Sequence, residues 1–481
     1  MKFLQRSLYA TAFVVAVSVS HAPDLHAQSQ RVVFAHFMLA NQDYVSDDVP
    51  SEAVIASYQR EIREAQAIGI DGFALNAGGW FEEPRYIKRA SEMFEAAYRL
   101  NSNFKLMFSA DMCCSNDADD VEDMVRRFAN NPRYSTVYYK RGGKFLLTTF
   151  AGEKKGPEFW QQLRRDLEQG SNPSNRDAPN ALATVSGVPS SAPVPILLVT
   201  AFFWGGELPR ESDIAAGLAN YSHIIDGSLY WGIAAVPGLG HVPDQIPSGD
   251  AYASVLHRAA KFYMAPICFQ FWGANAGRYY EYSGYSGMRA MWMDAIKVSH
   301  PEAVEIITWN DFIEGSYVSP IDDPARYQGA NDLGASAAPP STLRYFHTHR
   351  GATELLAYFI EWYKTGAQPP IHNDSIFWAY RTVMAEDDKA IKSFGPVSTA
   401  VYVTANLAAP AVLQVTAGSK VTSVDLPAGS TDVQVPMSVG SAPSFDLLRG
   451  GRKVAHAIGA DPISSTSPYP NFYYSTGAMH D

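Results

Sequence analysis

The chain has 481 residues, 47% hydrophobic and 18% charged, which is typical of an ordered globular protein with room for a large domain and a smaller one. A formal charge of −11 argues against a nucleic-acid partner, because phosphates would be repelled. Only three cysteines occur, Cys113, Cys114 and Cys268, which excludes a disulfide-built scaffold. No His/Cys cluster has zinc spacing, so we expect neither a metal nor a cofactor.

The N-terminus has the pattern of a secretory signal peptide over residues 1–27. Lys2 and Arg6 form a basic start, an apolar stretch covers 8–19, and cleavage is expected after Ala27. This stretch is too short to span a membrane comfortably, and no later segment qualifies. We therefore expect a secreted or periplasmic protein that has no membrane association after cleavage and that acts as a monomer.

From residue 31 onward, apolar strands alternate with helical stretches. The predicted strands are Arg31–Phe37, Gly72–Asn76, Lys105–Ala110, Lys144–Phe150, Ile196–Phe203, His223–Tyr230, Met264–Gln270 and Val304–Thr308. The predicted helices are Ser51–Ile68, Pro84–Leu100, Asp119–Ala129, Glu158–Glu168, Ser212–Ala219, Asp250–Phe262, Ser286–Val298 and Thr353–Lys364. A Ser/Pro/Asn-rich stretch over 170–195 is predicted to be a surface excursion.

Eight strand–helix units in sequence predict an α/β fold, a (β/α)8 TIM barrel over residues 28–394. The alternative is an open doubly wound sheet, but no Gly-rich phosphate-binding turn follows the first strand. Beyond about Phe394 the pattern changes to short alternating segments separated by Gly, Pro and Ser. Residues 395–481 are therefore predicted to form a C-terminal β-sandwich domain.

The segment after the eighth predicted strand carries two carboxylates three positions apart, Asp311 and Glu314. Hydrolysis of a glycosidic bond needs one protonated carboxyl group to release the leaving sugar and one ionised group to activate water. The alternative is that Asp311 caps a turn and Glu314 is a solvated loop residue.

Active residues of a barrel gather at the carboxyl-terminal strand ends. The candidate substrate contacts are His36, Asn76, Asp111, Asp226, Trp231, Gln270, Trp272, Trp309, Asn310 and Tyr317. Alternatives remain for several of them. His36 is also interpretable as a core histidine, Asp226 as a buried hydrogen-bonding group, and Trp231 and Trp272 as core packing. Asp71 precedes its strand, so we expect a structural role at the opposite end.

Several ordered motifs resemble glycoside hydrolase family 71, the α-1,3-glucanases called mutanases. They are 33–38 (VFAHFM), 69–76 (GIDGFALN), 108–112 (FSADM), 225–227 (IDG), 263–266 (YMAP) and 308–317 (TWNDFIEGSY). The resemblance implies a barrel followed by a β-sandwich, and hydrolysis of α-1,3-glucan with inversion. It further implies that Asp311 is the general base and Glu314 the general acid. The chain differs from the family pattern at Phe312-Ile313, at Gly315-Ser316 and across 270–285.

For inversion, the two carboxyl groups are expected roughly 6.5–9.5 Å apart. Burial against Trp309, or the nearby charge of Asp311, would raise the pKa of Glu314. Two alternatives remain for the whole protein: a barrel acting on another α-linked polysaccharide, of the endo-α-mannosidase type, and a non-catalytic polysaccharide-binding protein. The β-sandwich is also interpretable as an anchor to insoluble glucan.

Overall fold

The computed structural model describes residues 31–39, 50–114, 116–170, 192–206, 208–232, 245–273, 278–280, 283–312, 314–320, 348–384, 399–465 and 474–480. The predicted signal peptide, 1–27, lies outside these residues, as does most of the excursion predicted over 170–195. In the described part of the chain, no helix is long and apolar enough to cross a membrane.

A closed barrel of eight parallel strands forms the first part of the fold. The strands of this part, in chain order, are β1 Val32–Met38, β2 Gly72–Ala77, β3 Lys105–Asp111, β4 Lys140–Arg141, β5 Lys144–Phe150, β6 Ile196–Ala201, β7 Gly227–Leu229, β8 Phe262–Ile267, β9 Phe271–Gly273, β10 Arg278–Tyr280 and β11 Ala303–Ile306. The barrel order is β3-β2-β1-β11-β8-β7-β6-β5, and β3 also pairs with β5, which closes the ring. The short strand β4 pairs antiparallel with β5, and β9 and β10 form a separate hairpin. The predicted TIM barrel is confirmed.

Eight helices in the described residues accompany the strands. They are α1 Ser51–Ala67, α2 Arg85–Leu100, α3 Ala118–Ala129, α4 Pro157–Gln169, α5 Glu211–Tyr221, α6 Ile246–Arg258, α7 Ser286–Lys297 and α8 Arg350–Thr365. Local chemistry sets their ends. Asp117 and Asp120 form a capping box at the start of α3, and Gly69, with a φ of 91°, follows the end of α1.

The register of the sheet shows which side chains face the barrel interior. Phe34 on β1 lies opposite Glu305 on β11 and Gly72 on β2, so these residues share one face. The other face meets the helices, since Phe37 contacts Tyr58 of α1. Because side chains alternate along a strand, His36 shares the interior face with Phe34. Residues on this face that lie near the strand ends are therefore held at the carboxyl-terminal rim.

Two four-stranded antiparallel sheets form the C-terminal part. Their strands are β12 Ser375–Arg381, β13 Ala400–Leu407, β14 Ala411–Ala417, β15 Lys420–Leu426, β16 Gly429–Pro436, β17 Ser444–Arg449, β18 Arg452–Ile458 and β19 Tyr474–His480. Trp378 stacks on Phe445 between the sheets with ring centroids 4.5 Å apart. The sandwich prediction is confirmed.

The predicted boundary after residue 394 is corrected by β12. This strand lies at 375–381 and pairs with both β13 and β19, so the sandwich begins before residue 394. The pattern concealed it because both of its faces are buried. Phe377 packs in the core shared with the barrel, whereas Trp378 packs in the core of the sandwich. No apolar/polar alternation remains to mark the strand.

The barrel and the sandwich are joined by a close-packed interface. The Tyr285 hydroxyl donates to the carbonyl oxygen of Trp378 over 3.0 Å. Phe269, just past β8, meets the ring of Tyr474 at 6.1 Å. At Gly351 on α8, a Cβ atom would lie 2.5 Å from the carbonyl oxygen of Gly477. The helix approaches the strand this closely because Gly351 carries no side chain, and the absence of a side chain on Gly477 makes room for the ring of Trp378.

Candidate active site

The segment that follows β11 is a closed loop that carries both candidate catalytic carboxylates. The N–H of Thr308 donates to the Ser316 carbonyl, and the N–H of Val318 donates to the Thr308 carbonyl, both over 3.0 Å. Inside this closure, the Thr308 hydroxyl accepts the N–H of Asp311 at 2.9 Å. Asp311 Oδ1 then accepts the N–H of Glu314 at 3.0 Å. One hydrogen-bonded turn therefore fixes the relative position of the two acids.

Three hydrogen bonds, made by Trp309 and Asn310, tie this turn to the end of β1. The N–H of Trp309 donates to the His36 carbonyl over 2.7 Å. The Asn310 side chain accepts the N–H of Met38 at 2.7 Å and donates to its carbonyl at 3.2 Å. Asn310 is buried and binds backbone on both sides of its amide. The structure therefore places it as a support of the turn, whereas the sequence suggested a substrate contact.

Trp309 is also placed differently from the prediction. Its side chain is fully buried, and the indole N–H donates to Glu61 Oε2 of α1 over 2.6 Å. The ring contacts Phe73, which lies on the outward face of β2. Trp309 therefore points between the barrel and its helices and not into the cleft. It cannot supply the apolar wall that was expected beside Glu314.

Tyr317 is 2% exposed and supports the other end of the turn. Its ring stacks on His349 with centroids 3.9 Å apart and planes 8° apart, and it also contacts Phe312. His349 Nδ1 donates to the Tyr317 carbonyl over 2.6 Å. These contacts bury Tyr317 within the protein rather than presenting its ring to a substrate.

The two carboxylates have different surroundings. Asp311 is 5% exposed, while Glu314 is partly exposed. Gln270, which follows β8, reaches the same turn, because its Nε2 donates to the Gly315 carbonyl over 2.8 Å. The turn is thus held by residues of β1, by Gln270 after β8 and by His349 just before α8.

A second group of predicted residues meets at the rim beside the turn. His36, Asn76 and Asp111 lie on the interior faces of β1, β2 and β3. Asp111 accepts the N–H of Cys113 over 2.9 Å and also binds the side chain of Asn76. Burial raises the pKa of Asp111, against the opposing effects of these hydrogen bonds and of the charge of His36. The first three strand ends therefore converge as predicted.

Trp231 completes this group just past β7. Its ring meets the edge of His36 at 4.7 Å and the ring of Phe150 at 4.9 Å. Unlike Trp309, it is partly exposed, so some of its ring remains accessible at the rim. The backbone of Trp272 lies in β9, but its side chain lies outside the described residues.

Asp226 is the predicted site residue that the structure does not bring to this rim. It precedes β7 and was expected within the strand, because Ile224 and Ile225 extend the apolar pattern before it. Its Oδ2 accepts the N–H of Leu198 at 2.9 Å, and it pairs with Arg164 and Lys144. These contacts lie at the amino-terminal end of the strands, opposite the candidate active site.

Asp71 has the same structural role, as the sequence predicted. Its Oδ2 accepts the N–H of Val33 at 2.8 Å, and Lys364 lies 2.6 Å from its Oδ1. Both aspartates belong to an Ile-Asp-Gly triplet, 70–72 and 225–227. In both triplets a Cβ on the glycine would lie 2.2 Å from a carbonyl oxygen of the next strand. The repeated triplet was the signal that identifies Asp226 as structural.

Sequence reasoning missed Glu305, the carboxylate that lies inside the barrel on β11. It was read as part of an apolar run, yet a charged residue in the middle of a fully buried strand is itself a signal. Its Oε1 lies 2.7 Å from His36 Nδ1. Within the described residues, no group of three His, Cys, Asp or Glu side chains is arranged to hold a metal ion.

The fold and this rim together define the class of protein: a glycoside hydrolase built on a TIM barrel. The sequence profile of glycosyl hydrolase family 71 matches residues 29–480, and the chain belongs to that family. It is similar to glucan endo-1,3-alpha-glucosidase agn1 of Schizosaccharomyces pombe, with 27% identity over 94% of this chain and 95% of that protein.

A mutanase of Penicillium rubens is 25% identical over 95% of this chain and 90% of its own length. Among solved structures, the GH99 endo-alpha-mannosidase of Bacteroides thetaiotaomicron has a TM-score of 0.46 and 10% identity. The match covers 70% of this chain and 98% of that structure.

Proposed function

We propose that this glycoside hydrolase cleaves α-1,3-glucosidic bonds in α-1,3-glucan with inversion of configuration. The observation that carries the proposal is the hydrogen-bonded turn after β11, in which Asp311 and Glu314 are held together at the barrel rim. The names of the two relatives, an endo-1,3-alpha-glucosidase and a mutanase, support the choice of substrate.

In the proposed reaction, Glu314 is the general acid and Asp311 the general base. Glu314 gives its proton to the glycosidic oxygen as the bond to the anomeric carbon breaks. Water attacks that carbon from the opposite face, and Asp311 accepts the proton that the water loses. An ionised Asp311 disfavours a second negative charge nearby, which keeps the proton on Glu314 before the reaction.

The remaining rim residues are proposed to bind the sugar. His36, Asn76, Asp111 and Gln270 supply polar groups for its hydroxyls, and Trp231 supplies an aromatic surface for its apolar face. Trp309, Asn310 and Tyr317 are proposed to act by holding the turn.

We further propose that the protein is exported after removal of residues 1–27 and acts as a monomer. N-terminal sequencing of the mature protein tests the cleavage, and its sedimentation tests the oligomeric state.

The decisive experiment uses purified protein, insoluble α-1,3-glucan, and sizing of the released products. α-Mannan serves as the matched polymer, because an enzyme of the endo-α-mannosidase type would release reducing ends from it. NMR of the first products reports the configuration of the new reducing end, and inversion predicts the β-anomer. Release from mannan alone, no release from either polymer, or an initial α-anomer would each contradict part of the proposal.

A further inference from the structure

Glu305 is a carboxylate in the interior of the barrel, and the proposed reaction does not use it. Its side chain is 0% exposed, and it lies on the face of β11 that it shares with Phe34 of β1. Burying an ionised carboxylate costs several kcal/mol, on the order of the whole stability of many domains, unless a partner compensates it. Such a residue therefore needs an explanation beyond packing.

Its partner is His36. The imidazole Nδ1 lies 2.7 Å from Glu305 Oε1, and the histidine is 1% exposed. The second oxygen of Glu305, Oε2, is buried and has no hydrogen-bond partner among the described residues. Within the described part of the chain, His36 is thus the hydrogen-bond partner of this carboxylate.

The protonation of this pair follows from its net charge. A neutral imidazole beside an ionised carboxylate would leave one uncompensated negative charge in the interior, which is the costly arrangement. Two arrangements have no net charge: imidazolium with carboxylate, and imidazole with carboxylic acid. In the first, both ring nitrogens carry a hydrogen. In the second, the acid O–H donates to Nδ1, so the ring hydrogen is on Nε2. A proton on Oε2 instead is disfavoured, because that buried oxygen has no hydrogen-bond partner among the described residues.

Nε2 of His36 therefore carries a hydrogen whichever group holds the shared proton. In the described part of the chain, this nitrogen makes no hydrogen bond. The ring lies against Trp231 at the rim, and Asp111 is the ionisable group that faces it from β3. The imidazole thus lies between the barrel interior and the rim.

We propose that Glu305 is a positioning residue that, through a buried pair with His36, presents the Nε2–H of His36 as a fixed donor to an oxygen of the bound sugar. This rests on the proposed function for the identity of the ligand, but the state of the pair does not depend on it. A neutral histidine without this partner would exchange between two tautomers, and only one of them donates from Nε2.

The direct test uses NMR of the full-length wild-type protein with 15N-labelled histidine rings and no substrate. His36 is assigned by comparison with His36→Gln. We expect His36 Nε2 to remain protonated from about pH 5 to about pH 8, as two-bond 1H–15N correlations report. An Nε2 signal typical of an unprotonated ring nitrogen at the upper end of this range would overturn the proposal. This measurement needs no Glu305 variant to fold.

A double-variant cycle tests the link to the reaction on a soluble α-1,3-linked glucose oligosaccharide. We expect Glu305→Gln and His36→Gln each to lower kcat/KM about 10- to 100-fold, the size of one lost hydrogen bond to the substrate. Because Glu305 acts through His36, the double variant should lose no more than His36→Gln alone. Losses that multiply in the double variant would overturn the proposal.

A matched control separates this effect from the cost of changing any buried carboxylate. Glu92 is 2% exposed and pairs at 2.9 Å with Arg89, and both residues lie on the helix α2 and not on a barrel strand. Glu92→Gln should change the thermal midpoint but not kcat/KM. If wild-type protein does not cleave the oligosaccharide at all, the proposed function fails, while the NMR result still decides the state of the pair.

Discussion

The backbone N–H of Glu314 donates a hydrogen bond to Asp311 Oδ1 over 3.0 Å, so one candidate catalytic carboxylate helps to orient the other. By accepting this hydrogen bond, Asp311 keeps its Oδ1 within the turn. The geometry also means that changes at Asp311 must be chosen with care, since the residue has both a structural and a proposed catalytic role.

Asp311→Asn and Glu314→Gln are expected to abolish measurable hydrolysis while the protein stays folded. The asparagine retains a carbonyl oxygen that accepts the Glu314 N–H, so the turn survives, but the base is lost. Removing a general acid or base lowers the rate by about 10²- to 10⁴-fold. Reducing-end release from α-1,3-glucan measures the activity, and circular dichroism checks the fold. Turnover at the wild-type rate by either folded variant would contradict its assigned role.

Trp309 is expected to affect stability and not substrate affinity. Trp309→Phe keeps an aromatic ring against Phe73 but removes the indole N–H that Glu61 accepts at 2.6 Å. Weakening a buried hydrogen bond to a charged group costs about 1–3 kcal/mol. Urea denaturation measures this loss, and KM for the soluble oligosaccharide should stay within twofold of the wild-type value. A large rise in KM with unchanged stability would mean that the ring contacts the sugar.

The barrel was predictable from the sequence because each strand–helix unit has its own local signals. These signals are local in sequence and do not depend on tertiary contacts. They include the period of apolar residues, the glycine after α1 and the aspartates at the start of α3. The convergence of His36, Asn76 and Asp111 was predictable too, since all three end strands of one parallel sheet.

Other features depend on contacts that no local pattern contains. Trp309 is next to the candidate catalytic residues in sequence, but its indole is bound by Glu61, which lies 248 positions away. Glu305 was hidden because the interior of a barrel is normally apolar, and its histidine partner is on β1. The strand β12 was missed because two different cores bury its two faces.

Asp226→Asn is expected to destabilise the barrel without changing the activity of the folded protein. The substitution removes the charge that pairs with Arg164 and Lys144, and a loss of about 1–3 kcal/mol is expected for a partly buried charged network. Asp71→Asn is the matched variant, because Asp71 has the equivalent place before β2. The urea midpoint should fall by a similar amount in both variants, and kcat/KM should stay at the wild-type value in both. A specific loss of kcat/KM in Asp226→Asn would instead support the ligand role considered from the sequence.

The sandwich is expected to unfold together with the barrel. Gly351→Ala places a methyl group 2.5 Å from the Gly477 carbonyl, and the resulting overpacking costs about 1–3 kcal/mol. Calorimetry should show one transition for the wild-type chain, and the variant should shift that transition as a whole. A control at Gly366→Ala, in the left-handed C-cap of α8 with open space around it, strains the backbone without touching the interface. Two separate transitions in the wild-type protein would show that the domains are independent.

The pair formed by Asp250 of α6 and Asp294 of α7 is expected to make stability fall as pH rises. Burial, with smaller contributions from the hydrogen bond and the charge of Asp250, raises the pKa of Asp294 to about 7. The unfolded chain loses this proton near the ordinary aspartate pKa of about 4. Between these two values the folded protein binds more protons than the unfolded chain, so the contribution of this group declines with rising pH and is least favourable above 7.

Asp294→Asn removes that dependence, because an amide stays neutral and can still donate a hydrogen bond to Asp250. The free energy of unfolding of the variant minus that of the wild type should be about 1–2 kcal/mol larger at pH 8 than at pH 5. This value is reduced to allow for the partial exposure of Asp294 to solvent. Urea denaturation at both pH values measures the difference. Asp425→Asn, on the exposed edge of β15, is the control for a simple change in net charge and should show no such dependence. An equal stability difference at the two pH values would mean that Asp294 is ionised across this range and that the two carboxylates do not share a proton.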